Sequence, residues 1–236
     1  MEFTVTQVDK NIWAIDQQGV RSFLLVGEDG AILIDTCFGG DLASVCRELC
    51  GDKPVTLLTT HADPDHIGGD GQFPVQYLHL ADFLRYEAVS KHSAHAKPLA
   101  EGNTFTAGEF TLEVVYIPGH TPGSVAFLDR KHKFLIAGDT VQNGSVFMFG
   151  EGRDLRAYLE SVKKLETLRQ EGAFDTVYAS HGVSRISADI LPDLIALAQE
   201  LLAGKGTPVG PAPDRFPPSV KTYRHGRAQM FFEQVM

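Results

Sequence analysis

Three features of the chain predict an α/β fold. Short β-type runs alternate with helical periodicity through the first 90 residues and again after Asp154. Turn residues rather than long linkers separate the runs. Four loops carrying His or Asp each follow directly on a β-type run, as ligand loops do at the carboxyl ends of strands in open α/β sheets.

The first strands are expected over 3–8, 12–16, 20–26 and 31–35, with Glu28-Asp-Gly30 as the hairpin turn before the last. Residues 41–50 read as a helix that Asp41 starts and Gly51 stops. A strand over 55–59 leads into His61-Ala-Asp63-Pro-Asp65-His66-Ile-Gly-Gly69. A strand over 75–78 and a helix over 81–89 follow. Residues 91–103 have no clean period and read as a surface loop. Strands return over 110–117, 125–129 and 134–137, the last two joined by a polar turn at 130–133. Asp154 caps a helix in which Leu155, Leu159, Val162, Leu165 and Leu168 recur at helical spacing, and Gly172 ends it. A strand over 176–179 and a helix over 192–202 come next. Residues 204–218, rich in Pro and Gly, read as an irregular connector, and 220–223 with 228–232 as a closing hairpin. No linker divides the chain, so 1–236 is expected to be one domain.

Hydrophobic residues make up 43% and charged residues 22%, ordinary values for a soluble globular protein. No apolar run approaches the roughly 20 residues that span a bilayer, and Met1-Glu-Phe-Thr lacks the features of a signal peptide, so the cytoplasm is the expected compartment. A net charge of −9 without a basic run argues against nucleic acid or a membrane surface as partner. A small-molecule substrate remains, with the oligomeric state open. The odd cysteine count points to reduced thiols, and Cys37, Cys46 and Cys50 read as small buried apolar residues.

The segment from His61 to His66 packs four metal-ligand side chains into six residues. Imidazole with carboxylate is a ligand set for divalent first-row metals. Gly68 and Gly69 let the backbone turn tightly beneath it. Further candidates lie in Pro118-Gly-His120-Thr-Pro-Gly123, Ala137-Gly-Asp139-Thr140 and Ser180-His181-Gly182.

Together these segments resemble the metallo-β-lactamase superfamily of binuclear hydrolases, from about Phe23 to about His181. The resemblance implies a four-layer αββα sandwich of two similar halves, with two divalent metal ions in a cleft along one edge. Carried over by position, His61, Asp63 and His120 would hold one metal, Asp65, His66 and His181 the other, and Asp139 would bridge both. The resemblance also implies attack by a metal-activated hydroxide. Asp65 would be the catalytic residue that orients it and passes its proton to the leaving group.

One position departs from the family: the usual pattern has His where this chain has Asp63. Two divalent ions with Asp63, Asp65 and Asp139 would leave a net +1 instead of +2, which should weaken the site as an electrophile. Zinc is the expected metal, while the harder oxygen ligand brings in iron or manganese. The flavodiiron oxidases resemble the chain in having a carboxylate there, but no flavodoxin-like domain fits after His181.

The expected function is therefore a metal-dependent hydrolase of an ester, thioester or lactone, similar to glyoxalase II. The alternative is a di-iron oxidoreductase related to the flavodiiron core. The extended carboxy-terminal helical region usual in glutathione-thioester hydrolases is not seen. Phe147, Met148 and Phe149 read either as core or as an apolar wall for an acyl group, with period 2 sending Met148 the opposite way from its neighbours. Arg153 reads as a solvated charge beside a helix start. His92 and His95 could edge the site as a lid. His79, His132 and His225 have no ligand spacing.

Overall fold

The computed structural model describes residues 2–90 and 95–233. In the first sheet β1 (Thr4–Asp9), β2 (Ile12–Gln17), β3 (Val20–Val26) and β4 (Ala31–Ile34) run antiparallel in chain order. Three parallel strands extend it: β5 (Val55–Leu58), β6 (Gln76–His79) and β7 (Ala96–Leu99). The second sheet contains β8 (Thr104–Ala107), β9 (Phe110–Tyr116), β10 (Val125–Asp129), β11 (Phe134–Ile136), β13 (Thr176–Tyr178) and β14 (Arg185–Ser187). Its spatial order is β14-β13-β11-β10-β9-β8, and its only parallel pair is β11 with β13. A smaller sheet, in the order β12-β17-β16-β15, is built from β12 (Ser145–Met148), β15 (Pro208–Pro211), β16 (Val220–His225) and β17 (Ala228–Glu233).

The alternation of side chains along each strand explains the layers. Phe23, Leu25, Ile32, Ile34 and Leu58 turn inward and meet Leu112, Val114, Phe127 and Ile136 of the second sheet. Their sequence neighbours Leu24, Leu33 and Leu57 face outward and bury Leu42, Cys46 and Cys50 of α1 (Leu42–Cys50). On the far side α4 (Leu155–Gln170) and α5 (Leu191–Leu202) cover the second sheet through Leu159, Val162, Leu165, Leu194 and Leu197. The result is the α/β four-layer αββα sandwich. Asp41 accepts the Ser44 amide at the start of α1, and Asp154 accepts those of Arg156 and Ala157 at the start of α4. No described helix is long and apolar enough to cross a membrane.

Five strands were not anticipated, among them β8 just after the expected loop. The 91–103 stretch contains β7, with Pro98 inside it, and the 204–218 connector contains β15, which begins and ends with proline. Both lie on sheet edges, where a missing N–H costs no ladder bond. β12 and β14 are only four and three residues long. All three cysteines are free and buried, as expected.

Candidate metal centre

The loops that leave β5, β9, β11 and β13 carry His61, His120, Asp139 and His181 to one edge of the sandwich. The short helix α2 (Pro64–Ile67) adds Asp65 and His66, with Asp63 just before it. Two glycines allow this convergence. A Cβ on Gly68 would sit 2.3 Å from the Phe38 carbonyl carbon, so its role is close approach of two backbones rather than a turn. Gly119, at φ +135°, passes within 2.3 Å of the Tyr158 amide by the same measure.

Each histidine is held through Nδ1, and its Nε2 faces the others. His120 and His181 donate to the carbonyls of Phe147 (3.1 Å) and Gly19 (2.7 Å). His66 Nδ1 lies 2.8 Å from Asp35 Oδ2. Thr60 gives its hydroxyl proton to Asp35, so it accepts from His61 Nδ1 at 3.0 Å. This second set of partners fixes ring orientation and tautomer, as around metal-ligating histidines.

The free nitrogens form two groups. His61, Asp63 and His120 place ligand atoms within 4.8 Å of one another, and so do Asp65, His66 and His181. Asp63 Oδ2 lies 3.5 Å from His61 Nε2 and 3.3 Å from His120 Nε2. Asp139 stands between the groups: Oδ1 is 3.3 Å from His66 and 3.2 Å from His181, while Oδ2 is 3.7 Å from His120. Bonds of 2.0–2.1 Å in a tetrahedron put neighbouring ligand atoms about 3.3–3.4 Å apart. The carboxylate–imidazole separations, 3.2–3.8 Å, lie at or a little above that spacing. Nε2 of His61, His66 and His120 and Oδ1 of Asp139 are buried without a hydrogen-bond partner, an expensive state that a cation would relieve.

The electrostatics agree. Burial alone would favour neutral Asp139, yet the charges of His181 and His66 hold its carboxyl well below the usual range. Burial likewise opposes charge on His66 and His181, but Asp139 raises both. Burial, with Arg153 and His61 adding to it, pushes His120 down to about 4, leaving a neutral imidazole suited to a metal. Asp63 is held below the usual range, despite its burial, by the imidazoles of His120 and His61 beside it.

Asp63 also has two partners that the sequence did not reveal. Arg85, on α3 (Phe83–Val89), donates to Oδ1 from Nε at 2.8 Å and from a terminal nitrogen at 2.5 Å. Arg153 donates to Oδ2 at 2.6 Å and also to the His120 carbonyl. Two expectations change. Arg153 is not a solvated charge; its side chain is 10% exposed. The charge of Asp63 is not left to metal ions alone, because two guanidiniums pair with it.

Two other buried carboxylates were overlooked. Asp35, at φ +61°, receives the Thr60 amide and hydroxyl besides contacting His66. Its position at a strand end, like that of the ligands, was the available signal. Asp82 ties the two ligand loops together by accepting from the Ala62 amide, the Thr121 hydroxyl and the Gly123 amide, each within 2.8 Å. Of the expected lid, His92 lies outside the described residues and His95 contacts the Pro74 carbonyl at 2.9 Å. His79 stacks on Tyr116, His132 pairs with Asp129, and His225 with Glu200, as ordinary structural histidines.

The centre opens into a cleft of about 730 Å³, lined by Asp65, Asp139 and His181 and by Phe38, Phe147, Phe216 and Phe231. Met148 points the other way into the core.

Residues 15–174 match the metallo-beta-lactamase superfamily. Among curated proteins, the acyl-coenzyme A thioesterase MBLAC2 of Gallus gallus is 29% identical over 56% of this chain and 57% of its own. The hydroxyacylglutathione hydrolase of Xanthomonas campestris pv. campestris is 34% identical over 61% of this chain and 49% of its own. The chain thus spans only about half the length of these relatives. Among solved structures, a metallo-beta-lactamase from Pontibacter korlensis superposes with a TM-score of 0.70 at 21% identity, covering 84% of this chain and 99% of that one. A protein solved in a di-iron-bound form has a TM-score of 0.63 at 27% identity, covering 75% and 94%. Over two thirds of its length, fold and matched residues together, the chain belongs to the metallo-beta-lactamase superfamily.

Proposed function

We propose that the chain is a metal-dependent hydrolase of carboxylic thioesters, with esters and lactones as related substrates. In this reading 1–236 works as a single domain. Two divalent ions, zinc foremost, are shared among His61, Asp63, Asp65, His66, His120, Asp139 and His181. The observation that carries this reading is the convergence of buried, unpartnered Nε2 atoms and Asp139 beside an open cleft. Both curated relatives named above cleave thioesters by their names, which favours that class.

Ions held there would supply an activated water at neutral pH and Lewis acidity toward the substrate carbonyl. The protein supplies position and proton handling. Asp139 keeps the two ligand groups together. The side chains of Asp65 and His181, 25% and 23% exposed, form the side that a substrate reaches. Asp65 Oδ2, 3.5 Å from His181 Nε2, takes a proton from the attacking water and passes it to the leaving thiolate. Asp35, Thr60 and the carbonyls of Phe147 and Gly19 hold the imidazoles still meanwhile.

The test is elemental analysis of protein purified without chelator, followed by assay on acyl thioesters. About two zinc ions per chain, with activity abolished by chelation and restored by zinc, is the expected result. Near-zero metal that added ions do not restore would overturn the reading. The second reading, a di-iron oxidoreductase, draws on Asp63 and on the relative solved with two irons. Two irons per chain together with dioxygen consumption would put it first.

A further inference from the structure

The smallest sheet has an apolar face on the side where polar residues belong. β12 and β17 turn Val146, Met148, Ala228 and Met230 into the core shared with α4 and α5. The alternate residues, Phe147 and Phe231, are paired in register on the opposite face. A sheet with one face on a core ordinarily solvates the other. Here both rings stay half-buried and edge-to-face, their centroids 5.2 Å apart. Phe216, from the loop after β15, packs on both, 5.3 Å from Phe147 and 5.4 Å from Phe231. All three rings line the same cleft as Asp65, Asp139 and His181, and Phe38, 42% exposed, lines it too. The wall begins at the centre itself, because the backbone carbonyl of Phe147 holds His120 Nδ1.

We propose that this wall is a subsite for an aromatic acyl group, whose carbonyl lies at the metal centre. The proposal rests on the hydrolase reading and names its substrate class. A cleft of about 730 Å³ suits a small molecule rather than a protein segment. Three rings already arranged edge-to-face offer a fourth the packing that aromatic rings prefer, with centroids roughly 4.5–7 Å apart. Phe216 and Phe231 lie beyond residue 174, where the family match ends.

The experiment measures affinities of the corresponding product acids, which requires no turnover. Phenylacetate, hexanoate and acetate are titrated calorimetrically into the metal-containing protein and into Phe147→Ala and Phe216→Leu, with melting curves to confirm folding. Phe216 lies outside any strand or helix, so its variant retains a fold if Phe147→Ala does not. Phenylacetate is expected to bind about tenfold tighter than acetate and tighter than hexanoate, and both variants should lose most of that preference. Hexanoate binding as tightly as phenylacetate would overturn the proposal. So would a phenylacetate preference that survives in the folded variants. Hydrolysis of acetyl and phenylacetyl thioesters is assayed in parallel on the unaltered protein. Its absence would count against the hydrolase reading alone, whereas equal affinities for the three acids would count against the subsite alone.

Discussion

The two halves of the metal centre are built from similar side chains but differ in what surrounds them. His61, Asp63 and His120 are all buried, and two arginines clamp Asp63 from behind. Asp65 and His181 are partly exposed to the cleft, and His66 is backed by the carboxylate of Asp35. One half is more deeply buried and braced by cations; the other is more exposed and braced by an anion. The difference separates holding from reacting. Asp63 and His120 also reach the cleft, but Asp65 and His181 are the more exposed to it. It also shows how the buried charge of Asp63 is met, by Arg85 and Arg153.

The hardest way to break this arrangement is to remove its link. Among the described carboxylates, Asp139 pairs with histidines of both halves. Asp139→Ala is expected to lose both metals and to lower kcat/KM by on the order of a thousandfold, about 4 kcal/mol. Metal analysis and kinetics on the same sample check it. Retention of two tightly bound metals would show that the halves are independent.

Asp63→Ala tests the more buried half alone. It should cost one metal per chain and leave the other in place. It should also destabilise the fold by about 3 kcal/mol, because two guanidiniums lose a shared, largely buried partner. Denaturant unfolding reads the second effect. An unchanged metal count would mean that Asp63 serves the arginines and not a metal.

A weaker perturbation addresses the more exposed half. Asp35→Asn keeps the shape but removes the charge that faces His66 Nδ1 at 2.8 Å. Metal affinity should fall about 10–100-fold, with the second ion the first to leave in a chelator competition. Equal loss from both halves would erase the distinction drawn here.

The residues that converge at the candidate centre were legible in the sequence because most share one signal, a His or Asp shortly after an apolar strand. The strands over 20–26 and 31–35 were legible as well, from their apolar runs and the turn at Glu28-Asp-Gly30 between them. What braces the site was not legible. Arg85 meets Asp63 across 22 residues, and Arg153 across 90. Nothing local distinguishes either from a surface cation. Asp82 read as an ordinary residue at a helix start, although it ties together loops 20 and 39 residues away. The edge strands β7 and β15 were hidden by their prolines, which local propensity counts against strands wherever they occur. Long-range pairing decides all of these, and periodicity within one segment does not report it.

The smallest expected effect supplies a reference that should ignore both halves. Cys46, on the buried face of α1, sits among Leu24, Leu33 and Leu57. Burial, with Cys50 adding to it, pushes its thiol from about 9 up to about 12. Above pH 9 the unfolded chain releases this proton while the folded chain retains it, so folding stability must fall as pH rises from 9 toward 12. Between pH 9 and pH 10 the loss from this one thiol is about 1 kcal/mol. It should disappear in Cys46→Ala when unfolding is measured at both pH values. Because Cys46 contacts no ligand, the same difference between the two proteins is expected with the metal sites loaded or stripped by chelator. A difference that changes on chelation would mean that the metal centre is coupled to the outer helix layer, and the contrast between a more buried and a more exposed half would then extend beyond the cleft.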